Sequence, residues 1–78
     1  MLKALDTKVM AMVQAEVPTG SVWRHVKSGG RYMVIGYCWL EATAQPAVLY
    51  ARDEPESEIW ARDAAEFLDG RFERAEGR

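Results

Sequence analysis

The sequence predicts a mostly β domain with an N-terminal α-helix. The sheet is expected to be small, curled and antiparallel, or closed as a barrel, with four to five strands and a short helical turn near residues 64–68. Three observations carry that prediction. Residues 20–40 read as two strands joined by Ser28-Gly29-Gly30, a turn whose glycines tolerate positive φ. Residues 2–16 place Leu2, Leu5, Val9, Met12 and Val13 at helical spacing. Downstream, short apolar runs alternate with polar, proline-bearing turns.

With 78 residues, the chain has room for one domain whose core buries about 60% of the unfolded surface. A composition of 49% hydrophobic and 28% charged residues is that of an ordinary folded domain, neither disordered nor membrane-embedded. In order, residues 1–17 form an amphipathic helix, which Val17-Pro18-Thr19-Gly20 ends because proline has no amide to donate. Residues 20–73 form the β domain, and residues 74–78 fray.

In the first strand, Val22–Lys27, alternation puts Trp23, His25 and Lys27 on one face and Val22, Arg24 and Val26 on the other. The second, Arg31–Leu40, is apolar on both faces. Tyr32, Val34, Cys38 and Leu40 alternate with Met33, Ile35, Tyr37 and Trp39, and Gly36 marks a bend or bulge. Glu41–Pro46 is a loop, and Ala47–Arg52 is a third strand with Val48 and Tyr50 on one face. After the acidic turn Asp53–Ser57 comes a fourth strand, Glu58–Arg62. Asp63-Ala64-Ala65-Glu66 then has the spacing of a capping box, so Ala64–Leu68 turns helically, with Phe67 and Leu68 packed inward. Arg71-Phe72-Glu73 adds an edge strand.

Trp23-Arg24-His25-Val26-Lys27, Tyr32-Met33-Val34-Ile35-Gly36, Val48-Leu49-Tyr50, Trp60-Ala61-Arg62 and Phe67 follow one another in an order that resembles a family of bacteria and their phages. The family is known only as a domain of unknown function, number sixteen fifty-three. The resemblance spans about Gly20 to Phe72, and the N-terminal helix lies outside it. Trp23 stands where the family has tyrosine, and Asp63 where it has proline. The resemblance implies a small SH3-like β-barrel and says little of activity.

Function classes narrow by elimination. His25 and Cys38 are the only histidine and cysteine, which rules out a His/Cys metal cluster, and no phosphate-binding glycine loop is present. A thiol amid apolar neighbours is ordinarily an inert core group, so a Cys38–His25 nucleophile pair is a minor reading. The expectation is a non-enzymatic binding module without metal or cofactor. A lone cysteine points to the reducing cytoplasm, and neither a signal peptide nor a membrane span is expected.

Charge supplies two binding hypotheses. Residues 1–40 carry five lysines and arginines against two acids, whereas residues 41–78 carry five arginines against ten acids. The favoured reading is protein recognition by an acidic rim of Glu41, Asp53, Glu54, Glu56 and Glu58. Such a rim is steered to a basic groove of a nucleic-acid-handling complex, as a phage-encoded anti-CRISPR or other anti-defence inhibitor would be. The alternative is a nucleic-acid or phosphate-ligand site of Arg24, His25, Lys27, Arg31 and Arg62, with Trp23 and Trp60 for stacking. Self-association as a homodimer is expected through Leu2, Leu5, Val9 and Met12 on the helix and Met33, Ile35, Tyr37 and Trp39 on the second strand, because so much apolar surface needs a cover.

Overall fold

The computed structural model describes residues 4–75. An N-terminal helix, α1 (Thr7–Glu16), precedes strands β1 (Val22–His25), β2 (Arg31–Leu40), β3 (Gln45–Arg52) and β4 (Ile59–Asp63). A short helix, α2 (Ala64–Glu66), runs on into a wider helical turn over Phe67–Arg71, and β5 (Phe72–Arg74) closes the chain. The five strands form one open antiparallel sheet in the order β4-β3-β2-β1-β5. This is the predicted class, mostly β with an N-terminal helix and a helical turn near the C-terminus.

The sheet curls. In a flat five-stranded sheet the two edge strands would lie about 19 Å apart. Yet the Arg62 guanidinium on β4 sits 5.8 Å from the Phe72 ring on β5. The rings of Tyr50 on β3 and Phe72 are 5.4 Å apart. Curling brings the inner-facing side chains of β1, β2, β3 and β5 together around Phe67, which is fully buried. That ring stacks on Phe72 at 4.3 Å and meets Trp23 and Tyr50 edge-on at 5.1 and 5.4 Å. Offset and T-shaped contacts of this kind suit the ring quadrupoles as well as burying area.

The helix is shorter than its spacing predicts. Asp6 takes the N-cap position and accepts from the amides of Lys8 and Val9 at 3.1 and 3.3 Å, so Leu5 lies before the first turn. Leu2 lies outside the described residues. The buried residues of this segment are Met10, Val13 and Val17, while Val9 and Met12 face outward. The stripe is therefore rotated from the expected one, because the helix packs over the end of the curled sheet through its C-terminal half. No helix among the described residues is long and apolar enough to cross a membrane.

Strand β2 contains the predicted irregularity. Val34 pairs with Tyr50 and Gly36 with Leu49, so Ile35 is an extra residue outside the ladder. A bulge of this type reverses the in-out phase beyond it. Tyr37, expected to share a face with Met33 and Ile35, pairs with buried Val48 and packs against the core instead. Its hydroxyl donates to the Val17 carbonyl and fastens the end of α1.

Other boundaries moved by a residue or two. β1 stops at His25 because Val26 and Lys27 belong to the turn, and β3 starts at Gln45 rather than Ala47. Leu68 is 39% exposed rather than inward, since the wide turn aims only Phe67 at the core. Arg74 does not fray: it pairs with Trp23 in β5, and the Ala75 amide donates to the Val22 carbonyl at 2.8 Å. Residues 76–78 lie outside the described residues.

Candidate anion site on the inner face

Residues directly opposite each other in an antiparallel pair point to the same face. Four such pairs build a cleft at the β1–β2 turn end of the sheet. His25 faces Phe72, Tyr32 faces Arg52, and Tyr50 faces Trp60. Arg62, opposite buried Val48, joins them. These residues, with Ser28, line a cleft of about 270 Å³. A second, wider cavity of about 750 Å³ shares His25 and Arg62 and continues past Lys27, Asp69 and Arg71.

The cations of this face are held by aromatic rings. Arg52 lies 5.7 Å from the Tyr32 ring centre, Arg62 5.8 Å from Phe72, and Arg74 5.8 Å from Trp23. Arg62 also donates from Nε to the Tyr50 hydroxyl at 3.4 Å and from a terminal nitrogen to Glu66 at 3.4 Å. The hydrogen bond to Tyr50 chiefly raises its pKa above the ordinary arginine value. Partial burial works the other way, and attraction to Tyr50, Glu66 and Asp69 adds to the rise. Arg62 is thus a permanent cation.

His25 is set by its turn. Its Nδ1 accepts from the Ser28 amide at 3.3 Å and lies 2.9 Å from the Ser28 hydroxyl. That hydroxyl in turn accepts from the Gly30 amide at 3.2 Å. A ring nitrogen that accepts from a backbone amide carries no proton, so the hydrogen-bond pattern assigns the neutral imidazole to the Nε2–H tautomer. Gly29, at φ 79°, supplies the left-handed step that closes this turn. The Tyr50 oxygen, already accepting from Arg62, keeps its own proton for another acceptor. The cleft therefore offers donors: His25 Nε2–H, the Tyr50 hydroxyl and two guanidinium groups.

Of the sequence-predicted anion residues, the fold brings together His25, Lys27, Trp60 and Arg62, with Lys27 on the wider cavity. It separates the rest. Trp23 is not a stacking surface: it is buried against Phe67, and its indole N–H donates to Ser21 Oγ at 2.9 Å. Arg24 points to the outer face and pairs with Glu73 at 2.9 Å. Arg31, its cross-strand partner, shares that face. Ser28, Tyr32, Tyr50, Arg52 and Phe72 were missed as site residues. The signal for two of them, Tyr50 and Arg52, was the repeat of an aromatic and a basic residue two apart in Trp23-x-His25, Tyr50-x-Arg52 and Trp60-x-Arg62, which alternation sends to one face.

The acidic residues fall in two places. Asp53, Glu54, Glu56 and Glu58 occupy the β3–β4 turn, all exposed, beside the cleft through their neighbours Arg52 and Trp60. Glu41 lies at the other end of the β2–β3 hairpin, about 23 Å away along the eight residues of β3. None of the five makes an ion pair among the described residues.

The apolar candidates for self-association also separate. Leu5 and Met12 are 50% and 63% exposed, and Ile35 is exposed at the bulge, whereas Met33, Tyr37 and Trp39 are half-buried. Val9, Met12 and Val13 border a groove of about 210 Å³ whose other wall is Pro46, Ala64 and Leu68. Cys38 pairs with Ala47, out of phase with inner-facing Tyr37, so it does not share the face of His25. No cluster of three or more metal-ligating side chains occurs among the described residues. Compared with protein-family models, curated proteins and solved structures, the chain finds no match.

Proposed function

We propose that this protein is a binding module whose inner-face cleft takes a ligand carrying a phosphate and a flat ring. One observation carries the reading: cross-strand pairing converges His25, Tyr50, Arg52 and Arg62 beside the half-exposed ring of Trp60. Guanidinium forks and neutral N–H and O–H donors suit phosphate oxygens, and an exposed indole suits a base. Of the two binding hypotheses drawn from charge, this one gains a shaped site, and it now stands first. Titration at low salt with nucleotides and short single-stranded DNA tests it. Binding lost in Arg62→Gln and kept in Arg24→Ala supports the reading, and binding unchanged in Arg62→Gln overturns it. The resemblance to the family of unknown function stays a proposal on related ground: several of its motif residues, His25, Tyr32, Tyr50, Trp60 and Arg62, meet in this cleft.

A second reading, protein recognition, has its own observation in the exposed apolar face of α1. The partner it fits is another copy of this chain. Lys8 and Glu16 each lie four residues from Met12 and neither is ion-paired among the described residues. An antiparallel pair of α1 helices centred on Met12 sets each Lys8 against the partner's Glu16. Sedimentation of the parent and of Met12→Glu tests it: a dimer abolished by the substitution supports the pairing, and a monomer at high concentration ends it. Engagement of a basic groove by the acidic turn, as an anti-defence inhibitor, rests on charge alone. Charge reversal at Glu54, Glu56 and Glu58 that left partner binding intact would remove it. The cytoplasmic setting belongs to the same proposal and rests on Cys38 being the only cysteine.

A further inference from the structure

Resting on the anion reading of the cleft, we infer that its ligand is a single nucleotide bearing a terminal phosphate, not a stretch of nucleic-acid strand. The donors come first. His25 Nε2–H, the Tyr50 hydroxyl and the Arg52 and Arg62 guanidiniums give four separate donor groups on one cleft. A phosphomonoester presents three terminal oxygens to such a set and carries close to two charges at neutral pH. An internal phosphodiester presents two oxygens and one charge, and leaves donors unpaired.

Stacking surface points the same way. Proteins that hold a strand present successive aromatic platforms to successive bases. Here Trp60, at 49% exposed, is the one open ring of the cleft, because Tyr50 and Phe72 are spent in the core and Tyr32 is half-buried beneath Arg52. One platform takes one base. The volume of about 270 Å³ sits at the small end of small-molecule sites.

Charge at the mouths completes the argument. A strand leaving the cleft towards the β3–β4 turn would meet acids. On one side stands the turn of Asp53, Glu54, Glu56 and Glu58. On the other, Arg71 is paired with Glu66 at 3.1 Å and Asp69 at 3.5 Å, and Lys27 makes no ion pair among the described residues, so that side is not acidic. A small dianion stays clear of the acidic turn, whereas a polyanion extending that way must pass over it.

The test is calorimetry on the full chain with three probes: adenosine 5′-monophosphate, adenosine, and a short oligodeoxyadenosine without terminal phosphates. The monophosphate is expected to bind about tenfold or more tightly than either of the others. Tighter, salt-dependent binding of the oligonucleotide overturns this inference and leaves the anion reading standing. Equal binding of adenosine and its monophosphate, or no binding by any probe, overturns both. Because Arg62 is also bonded to the core residue Tyr50, Trp60→Leu serves as the second variant. It is expected to weaken the monophosphate while sparing inorganic phosphate, and equal losses for the two overturn the stacking role.

Discussion

Arg62 and Tyr50 are joined diagonally across β3 and β4, Nε to hydroxyl oxygen at 3.4 Å, and that bond ties the permanent cation of the inner face to a core ring. Tyr50→Phe keeps the ring and removes both the acceptor for Arg62 and the proton offered to a ligand. A hydrogen bond to a charged group contributes about 1.5–3 kcal/mol. Affinity for a phosphate-bearing ligand is therefore expected to fall at least tenfold by titration, while the midpoint of thermal unfolding should change less, because the 3.4 Å bond to Arg62 is long and the guanidinium partly exposed.

Trp60 lies on an edge strand with half its surface open, so it contributes more to binding than to folding. Trp60→Ala is expected to weaken a ligand with a base by about 1–3 kcal/mol. Urea unfolding of the same variant should shift far less than that of a buried-ring variant.

Phe67 is the reverse case, fully buried and touching Trp23, Tyr50 and Phe72. Phe67→Ala is expected to destabilise the fold by about 3–5 kcal/mol, a large share of what a domain this small has. Chemical denaturation measures it directly.

Gly70 adopts φ 108°, a region that side chains enter at a cost, and nothing lies within 4 Å of where a Cβ would stand. Gly70→Ala is therefore a pure backbone test: a loss of about 1–3 kcal/mol is expected, with no steric part. A neutral result would mean that the turn relaxes to another path.

Arg24 and Glu73 form the shortest ion pair of the described residues, at 2.9 Å, but on the solvated outer face. Exposed pairs contribute little, so Arg24→Ala should cost under about 1 kcal/mol. It should also leave ligand binding at its parent level, which separates the two faces of the sheet.

Much of this arrangement can be read along the chain. Glycine and proline mark the turns, Asp63 caps α2 through the Ala65 amide at 2.8 Å, and Trp23 and His25 share a face as alternation requires. The candidate site was half legible for a physical reason. Residue type singles out His25, Trp60 and Arg62, but which arginines converge depends on strand register and on curling, which no single strand encodes. Arg24 and Arg52 look alike in sequence. One lies opposite Arg31 on the outside, the other opposite Tyr32 within. Spacing alone starts the helix too early, because Leu5 continues the apolar pattern while Asp6 caps the first turn, and a cap outweighs one more apolar residue.

Ile35 touches neither cleft nor helix through any bond described, yet both depend on it. By standing outside the ladder it lets the first half of β2 give Tyr32 to the ligand side and the second half give Tyr37 to the Val17 carbonyl. Losing that single residue would put the two tyrosines out of step, casting α1 adrift with its own sequence intact. Length at this point in the chain is thus under tighter constraint than chemistry: many side chains can stand at position 35, but something must.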